Sequence, residues 1–176
     1  VSGPGKDWSG WSDYATFVTG ALGEAGWMDA RWIGMSGPLD NRNQFRTELA
    51  LAADKEVARC SLLISGLGYF VAHIEGKRVC DHELGESTQF ESQLPYSALD
   101  CTAVIKGASK RKVAVAVELG RGWYAEQQVG ALGNQPSGER MLRALLTITY
   151  TDGSQQPLIS DHTWRRAAGP IVDEQL

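Results

Sequence analysis

The sequence predicts an all-β fold, an antiparallel sandwich or barrel, on three observations. Apolar residues recur mostly with a period of two, turn signals follow one another about every 8–12 residues, and a 3.6-residue period is almost absent. The 20 glycines fall mainly in the breaks between the apolar runs. A chain of 176 residues fits one domain, whose core is large enough to fold without a metal or a disulfide.

Strands of the first half are predicted at residues 45–51, 60–65, 70–74 and 77–80. In the second of these, Cys60, Leu62 and Ile64 lie on one face, and the strand ends at the Gly66–Gly68 break. The Glu75–Gly76 pair separates the last two strands and predicts a tight hairpin turn between them.

The second half has the most regular strand pattern. Four apolar residues alternate there with small or polar ones and predict a strand with one strongly apolar face: Val113, Val115, Val117 and Leu119. A β-rich run follows at 142–150, and the Asp152–Gly153 pair should turn the chain back antiparallel along 156–160. A weaker strand is predicted at 164–167, and residues 99–107 predict a short helical turn that ends at Gly107.

Charge and hydropathy exclude two classes of partner. Lys and Arg number 17 against 21 Asp and Glu, for a net charge of −4. A nucleic-acid footprint requires a dense basic patch, and an anionic membrane surface attracts polybasic segments. The chain also has no apolar run of the length needed to span a bilayer. We therefore expect neither a nucleic acid nor a membrane as a partner.

The three cysteines predict small buried residues rather than a metal site. Cys60, Cys80 and Cys101 are separated by spacings that match no zinc or redox motif, which would need close pairs. Their odd number allows at most one disulfide within the chain. Reduced, buried thiols favour a cytoplasmic protein, although a leader upstream of this chain would be invisible here.

Tryptophans are concentrated at the N-terminus and at one strand end. Trp8, Trp11, Trp27 and Trp32 lie in a segment rich in Gly, Ser and Asp, and we interpret them as core or interdomain anchors. The Trp123–Tyr124 pair follows a predicted strand and opens a long loop. Its rings suit either stacking on a sugar or anchoring in the core, and the sequence leaves both interpretations open.

An ordered set of motifs carries a family resemblance. In chain order these motifs are residues 27–33, 42–46, 66–69, 74–79, 84–88, 96–102, 119–124, 150–153, 160–164 and 169–171. Together they resemble the N-terminal β-sandwich module of bacterial α-L-rhamnosidases, glycoside hydrolase family 78. One departure is that Glu75 stands where the family hairpin usually has asparagine.

The resemblance implies a jelly-roll β-sandwich of the galactose-binding-like type over residues 27–176. Residues 1–26 are then a linker or edge segment that enters from a preceding domain, and the chain is a fragment of a longer glycosidase. In that family the acid and base carboxylates of the inverting reaction lie in a downstream (α/α)₆ barrel. We therefore expect this chain to be inactive alone and to have the remainder of the parent α-L-rhamnosidase as its partner.

The resemblance also implies candidate binding residues. Arg121, Trp123 and Tyr124 are the candidates for binding a rhamnosyl carbohydrate. Some modules of this class bind rhamnose with calcium, and Asp40, Asn41 and Asn43 offer the oxygen ligands that calcium prefers. The same three side chains also suit an Asx-rich turn that caps its own backbone. The alternative for the whole chain is a purely structural module that packs against the barrel and has no ligand.

Overall fold

A computed structural model describes residues 10–14, 19–34, 43–80, 93–108, 111–120, 124 and 138–169. Its elements, in chain order, are a 3-10 helix (Glu24–Trp27), β1 (Ile33–Gly34), β2 (Gln44–Ala50), β3 (Val57–Leu67), β4 (Tyr69–Ile74), β5 (Lys77–Arg78), β6 (Ser97–Asp100), α1 (Thr102–Lys106), β7 (Lys112–Gly120), β8 (Met141–Tyr150), β9 (Gln155–Ile159) and β10 (Arg165–Ala167). Strands dominate, as the period of two predicts. Neither helix approaches the roughly 20 residues that a membrane-spanning helix needs.

The strands form two five-stranded sheets. Sheet A has the order β1-β8-β3-β6, and β9 also pairs with β8. Sheet B has the order β10-β2-β7-β4-β5. Every pairing in both sheets is antiparallel. The predicted antiparallel β-sandwich is confirmed.

The core lies between the inner faces of the two sheets, where the period-two residues meet. Sheet B contributes Phe45 and the four alternating residues of β7, all of them almost completely buried. Sheet A contributes Cys60, Leu62 and Ile64 from β3 and the inward residues of β8. Each large apolar side chain buried here stabilises the fold by about 1.5–3 kcal/mol relative to exposure.

Both predicted hairpins are present. At the β4–β5 turn, φ is +51° at Glu75 and +73° at Gly76, the two positive angles that a type I′ turn requires. A positive φ is unfavourable for a residue with a long side chain such as Glu75, and two hydrogen bonds to Ala114 compensate for this cost. The Glu75 N–H donates to the Ala114 carbonyl (3.0 Å), and the Ala114 N–H donates to the Glu75 carboxylate (2.6 Å). At the β8–β9 turn, φ is +83° at Gly153.

The helical turn predicted over residues 99–107 is shorter in the structure. Leu99 pairs with Leu62 in the β3–β6 ladder, so the strand continues to Asp100 and α1 begins only at Thr102. Gly107 ends the helix, as predicted, with φ at −82°. The short strands β1 and β6 and the 3-10 helix were not predicted, because two to four residues carry too little periodicity.

The outer face of sheet A is covered by the N-terminal segment. Trp27 and Ala30 pack there against Leu63 of β3 and Leu145 of β8 and form a second, smaller core. The Arg143 side chain is buried in the same place. Its Nε donates to the Ala30 carbonyl (2.9 Å), and its guanidinium lies 5.0 Å from the Trp27 ring centroid. Trp27 is therefore the core anchor that the sequence predicts.

The three cysteines are buried and reduced, as predicted. Trp164 is also buried, and its Nε1 donates to the Ile159 carbonyl (2.9 Å). Trp8 lies outside the described residues. The boundary between residues 26 and 27 stays a prediction.

Candidate functional site

The outer face of sheet B is set by strand register. Because side chains alternate along a strand, residues opposite each other in adjacent strands share a face. One row across this face contains Arg165, Arg46, Ala116, His73 and Arg78. The next row, towards the end of β7, contains Ala167, Gln44, Glu118 and Val71.

A groove of about 350 Å³ lies across these two rows. Ala116 is at its centre, where the absence of a longer side chain leaves space between Arg46 and His73. We call it the sheet groove and define it by six residues: Gln44, Arg46, His73, Ala116, Glu118 and Arg165. Amide, guanidinium, imidazole and carboxylate groups thus surround a small apolar floor.

Hydrogen bonds orient several of these groups before any ligand arrives. Gln44 Nε2 donates to Glu118 Oε1 (2.9 Å), which joins β2 to β7 across the groove. Arg46 Nη2 donates to Glu48 Oε1 (2.6 Å), and Lys112 pairs with the same carboxylate. The hydrogen bond from Lys112, aided by the charges of Lys112 and Arg46, holds the pKa of Glu48 below its usual value.

This arrangement suits the binding of a polyhydroxylated ligand. Guanidinium and amide N–H groups donate to hydroxyl oxygens, while carboxylate and amide oxygens accept from hydroxyl protons. The Ala116 methyl and the hydrocarbon stems of the arginines provide apolar contact for C–H groups. A few fixed polar groups around an apolar floor are typical of small-ligand sites.

The described carboxylates on this face are bonded to neighbouring groups and are set apart along the strands. Glu48 lies opposite Ala114, four residues before Glu118 along β7, so the backbones of the two residues are separated by roughly 13 Å. Arg46 and Lys112 hold the Glu48 carboxylate, whereas Gln44 holds that of Glu118. Inversion needs about 6.5–9.5 Å between the acid and the base. Glu75 is on the same sheet, but its carboxylate accepts the Ala114 N–H.

A larger cavity, about 540 Å³, lies at the opposite end of β2 and β7. Arg111 lines it, and its Nη1 donates to the carbonyls of Ala52 (3.1 Å) and Lys55 (2.9 Å). Lys55 pairs in turn with Asp152 (2.9 Å). These cations hold loops together, so the smaller sheet groove is the better candidate for ligand binding.

The predicted carbohydrate-binding residues are described only in part. Arg121 and Trp123 lie outside the described residues. Tyr124 is half-buried and lies close to Gly138, where an added Cβ would stand 2.9 Å from the tyrosine hydroxyl. The glycine thereby allows the phenol to approach the backbone.

Of the predicted calcium ligands, the structure describes Asn43 alone. Its side chain is buried, and Oδ1 accepts the Gly169 N–H (2.9 Å). Asp40 and Asn41 lie outside the described residues, so the calcium site stays a prediction. Among the described residues, no group of three or more His, Cys, Asp or Glu is arranged to hold a metal ion.

The described strand ends that border the two predicted clusters in sequence lie together at one end of sheet B. The Leu119 N–H donates to the Asn43 carbonyl (2.9 Å), so the start of β2 lies beside the end of β7. Residues 40–43 lead into β2, and residues 121–124 follow β7 directly. Gln44 and Glu118, at this same end, belong to the sheet groove. Antiparallel pairing thus relates segments that are about 80 residues apart in sequence.

The fold and this open polar face define the chain as an antiparallel β-sandwich domain. Comparison with known families is more specific: the model of the alpha-L-rhamnosidase N-terminal domain matches residues 55–176. The chain belongs to that family, which confirms the resemblance seen in the sequence.

Curated relatives are much longer proteins. An alpha-L-rhamnosidase from Streptomyces avermitilis is 34% identical over 176 residues, which is 98% of this chain but 16% of the relative. An alpha-L-rhamnosidase from Formosa agariphila is 29% identical over 195 residues, covering 93% of this chain and 20% of the relative. The chain thus spans no more than a fifth of the length of either.

Solved structures also match this chain over only part of their own length. The native α-L-rhamnosidase from Aspergillus terreus matches with a TM-score of 0.78 and 29% identity, over 92% of this chain and 19% of that one. The Streptomyces avermitilis enzyme, solved with L-rhamnose, matches with a TM-score of 0.64 and 32% identity, over 73% and 12%. A Pleurotus ostreatus lectin, solved with GalNAc, shares the fold alone, with a TM-score of 0.54 and 17% identity over 81% and 36%.

Proposed function

We propose that this chain is a non-catalytic module of a larger α-L-rhamnosidase and binds rhamnosyl carbohydrate at the sheet groove and the adjoining end of sheet B. The observation that carries the proposal is the groove itself. It is a concave surface with an alanine floor, rimmed by donors and acceptors from four strands. In the proposal, Gln44, Arg46 and Glu118 hydrogen bond to sugar hydroxyls.

The predicted residues complete the site from the neighbouring segments. Trp123 and Tyr124 supply aromatic faces for the C–H groups of a sugar ring, and Arg121 supplies a donor. Asp40 and Asn41 hold calcium beside the ligand. Asn43 contributes by fixing the start of β2, because its amide oxygen bonds the Gly169 backbone.

Calorimetric titration with L-rhamnose tests the proposal, with calcium present and then with a chelator. We expect saturable binding with a Kd on the order of millimolar, because a shallow site offers few contacts. Ala116→Tyr fills the groove and should abolish binding. Ala50→Tyr is the control. It places a tyrosine on the same outer face of sheet B, at the end of β2 and outside the groove, and this variant should bind L-rhamnose normally.

A null titration with folded protein would contradict the proposal. Binding that survives Ala116→Tyr would place the sugar elsewhere on the module. Loss of binding in the presence of the chelator would support a calcium ion beside Asp40 and Asn41. Unchanged binding in the presence of the chelator would show that the site does not need calcium.

A second candidate function, a structural module that packs against the rest of the parent, is favoured by a separate observation. Trp11, Tyr14 and Leu22 are almost fully exposed. Large apolar side chains left exposed are typical of surfaces that another part of a protein covers. In the full-length protein, Trp11→Ala with Tyr14→Ala should then lower the Tm, while in this chain the same pair should leave the Tm unchanged.

A further inference from the structure

Cys60 and Cys101 are neighbours across two strands of sheet A. Ser61 pairs with Asp100 in the β3–β6 ladder, so the next position in register places Cys60 opposite Cys101. The Cys101 N–H donates to the Cys60 carbonyl (2.9 Å), which continues the ladder by one bond. Both residues are completely buried, and both belong to the main core between the sheets.

Their register predicts a Cα separation within the range of a disulfide. Hydrogen-bonded residues of an antiparallel pair have Cα atoms about 5.5 Å apart, and disulfides join Cα atoms separated by about 4.4–6.8 Å. Residues opposite each other also project their side chains to the same face, here into the core. Cys80, the third cysteine, lies after β5 of the other sheet.

We propose that Cys60 and Cys101 form a cross-strand disulfide when the chain folds in the presence of a disulfide oxidant, with Cys80 left as the single thiol. The thiolate of one cysteine attacks the oxidant and forms a mixed disulfide, releasing one small thiol. The second cysteine's thiolate then attacks the protein sulfur of the mixed disulfide and releases the other small thiol. Two protein thiols are thereby oxidised, one small disulfide is reduced, and the two protons pass to the departing thiols.

The bond forms during folding rather than afterwards. In the folded chain no oxidant reaches either sulfur, because both side chains are fully buried. The hydrogen bond with Cys101, together with burial, raises the pKa of the Cys60 thiol, so the reactive thiolate is scarce once the core has closed. A chain folded under reducing conditions should therefore retain its thiols, and one folded with oxidant should not.

The test is refolding of the unfolded chain in a mixture of oxidised and reduced glutathione, with a reducing buffer as the comparison. Free thiols are then alkylated in denaturant and counted by mass spectrometry. We expect one alkylated cysteine after oxidative refolding and three after reductive refolding, with a non-reduced digest joining the peptides of residues 60 and 101. The bridge closes a loop of about 40 residues, and we expect it to raise the Tm by about 10 °C.

Replacing each cysteine in turn shows which two residues form the disulfide. Cys80→Ala should keep the bridge and the higher Tm, whereas Cys60→Ala and Cys101→Ala should each lose both and show two alkylated cysteines. Three alkylated cysteines in correctly folded, oxidatively refolded protein would overturn the proposal. A bridge to Cys80, or a bridged chain with a lowered Tm, would overturn it equally.

Discussion

The outer faces of the two sheets differ in what covers them. On sheet A, Trp27 and Ala30 cover Leu63 and Leu145, and Arg143 is only 8% exposed. On sheet B, polar side chains surround Ala116 and no described segment packs over the groove. The difference shows where function can lie. A covered face is committed to stability, whereas an open face with oriented polar groups remains available to a ligand.

Strand composition reflects this difference. β8 is buried on both faces over residues 142–146, and its run of Ala144, Leu145 and Leu146 has no polar position. β7 alternates strictly, with the fully buried residues facing the core and the half-buried ones facing the outer side of sheet B. A strand with two apolar faces requires two covering layers, so β8 indicates that the N-terminal segment must pack against it.

The largest expected effect is on the covered face. Trp27→Ala should lower the free energy of unfolding by about 3–5 kcal/mol, because it removes a buried ring from the second core. It also removes the edge-to-face contact with Tyr96 and the cation–π contact with the Arg143 guanidinium. Urea denaturation measures the change. Trp11→Ala is the matched control and should change stability by less than about 0.5 kcal/mol, because Trp11 is exposed. An equal loss of unfolding free energy in Trp27→Ala and Trp11→Ala would contradict the conclusion that Trp27 covers sheet A.

Two arginines provide the next comparison. Arg143→Met should cost about 1–3 kcal/mol, because the Ala30 carbonyl loses a donor in a buried place. Arg46→Met should cost less than about 0.5 kcal/mol, because its ion pair with Glu48 is exposed. The same Arg46 variant should weaken sugar binding. A stability loss at Arg46 as large as that at Arg143 would remove the distinction between the faces.

The smallest effect concerns pH. Hydrogen bonds from Ser154 and Lys55 hold the pKa of Asp152 below its usual value, and Lys112 does the same for Glu48 on the open face. A lowered pKa in the folded state means that the stabilisation is complete above about pH 5 and is lost progressively as the pH falls towards and through the folded pKa. Asp152→Asn and Glu48→Gln should therefore each flatten the acid limb of the stability curve. The exposed Asp13→Asn serves as the control, and an unchanged acid limb in both test variants would contradict this assignment.

Much of the fold could be predicted because single strands carry their own signal. The alternation at Val113 to Leu119 and the Asp152–Gly153 turn each require only neighbouring residues. The two-residue β1 and the four-residue β6 could not be predicted, because their pairing with longer strands defines them. The cover over sheet A was also missed, although Leu63 and Leu145, apolar on the second face of their strands, carried that signal.

The candidate site could be predicted less well, because it is made by strand register. Gln44, His73, Glu118 and Arg165 come from four strands far apart in the sequence, and of these four only Gln44 lies within a motif of the family resemblance. The sequence pointed instead to aromatic and Asx residues in the flanking segments. Asn43 shows the limit of that reasoning, since the amide that suits a calcium ion already bonds the Gly169 backbone.

The most direct test of the open face as the binding face is a heteronuclear NMR titration of this chain with L-rhamnose. We predict shifts that concentrate on the amides of Gln44, Ala116 and Glu118 and extend to Tyr124, with none in the Ala116→Tyr variant. Shifts confined to the Lys55–Arg111 end of the sandwich, or no shifts in tens of millimolar sugar with the fold intact, would contradict the account.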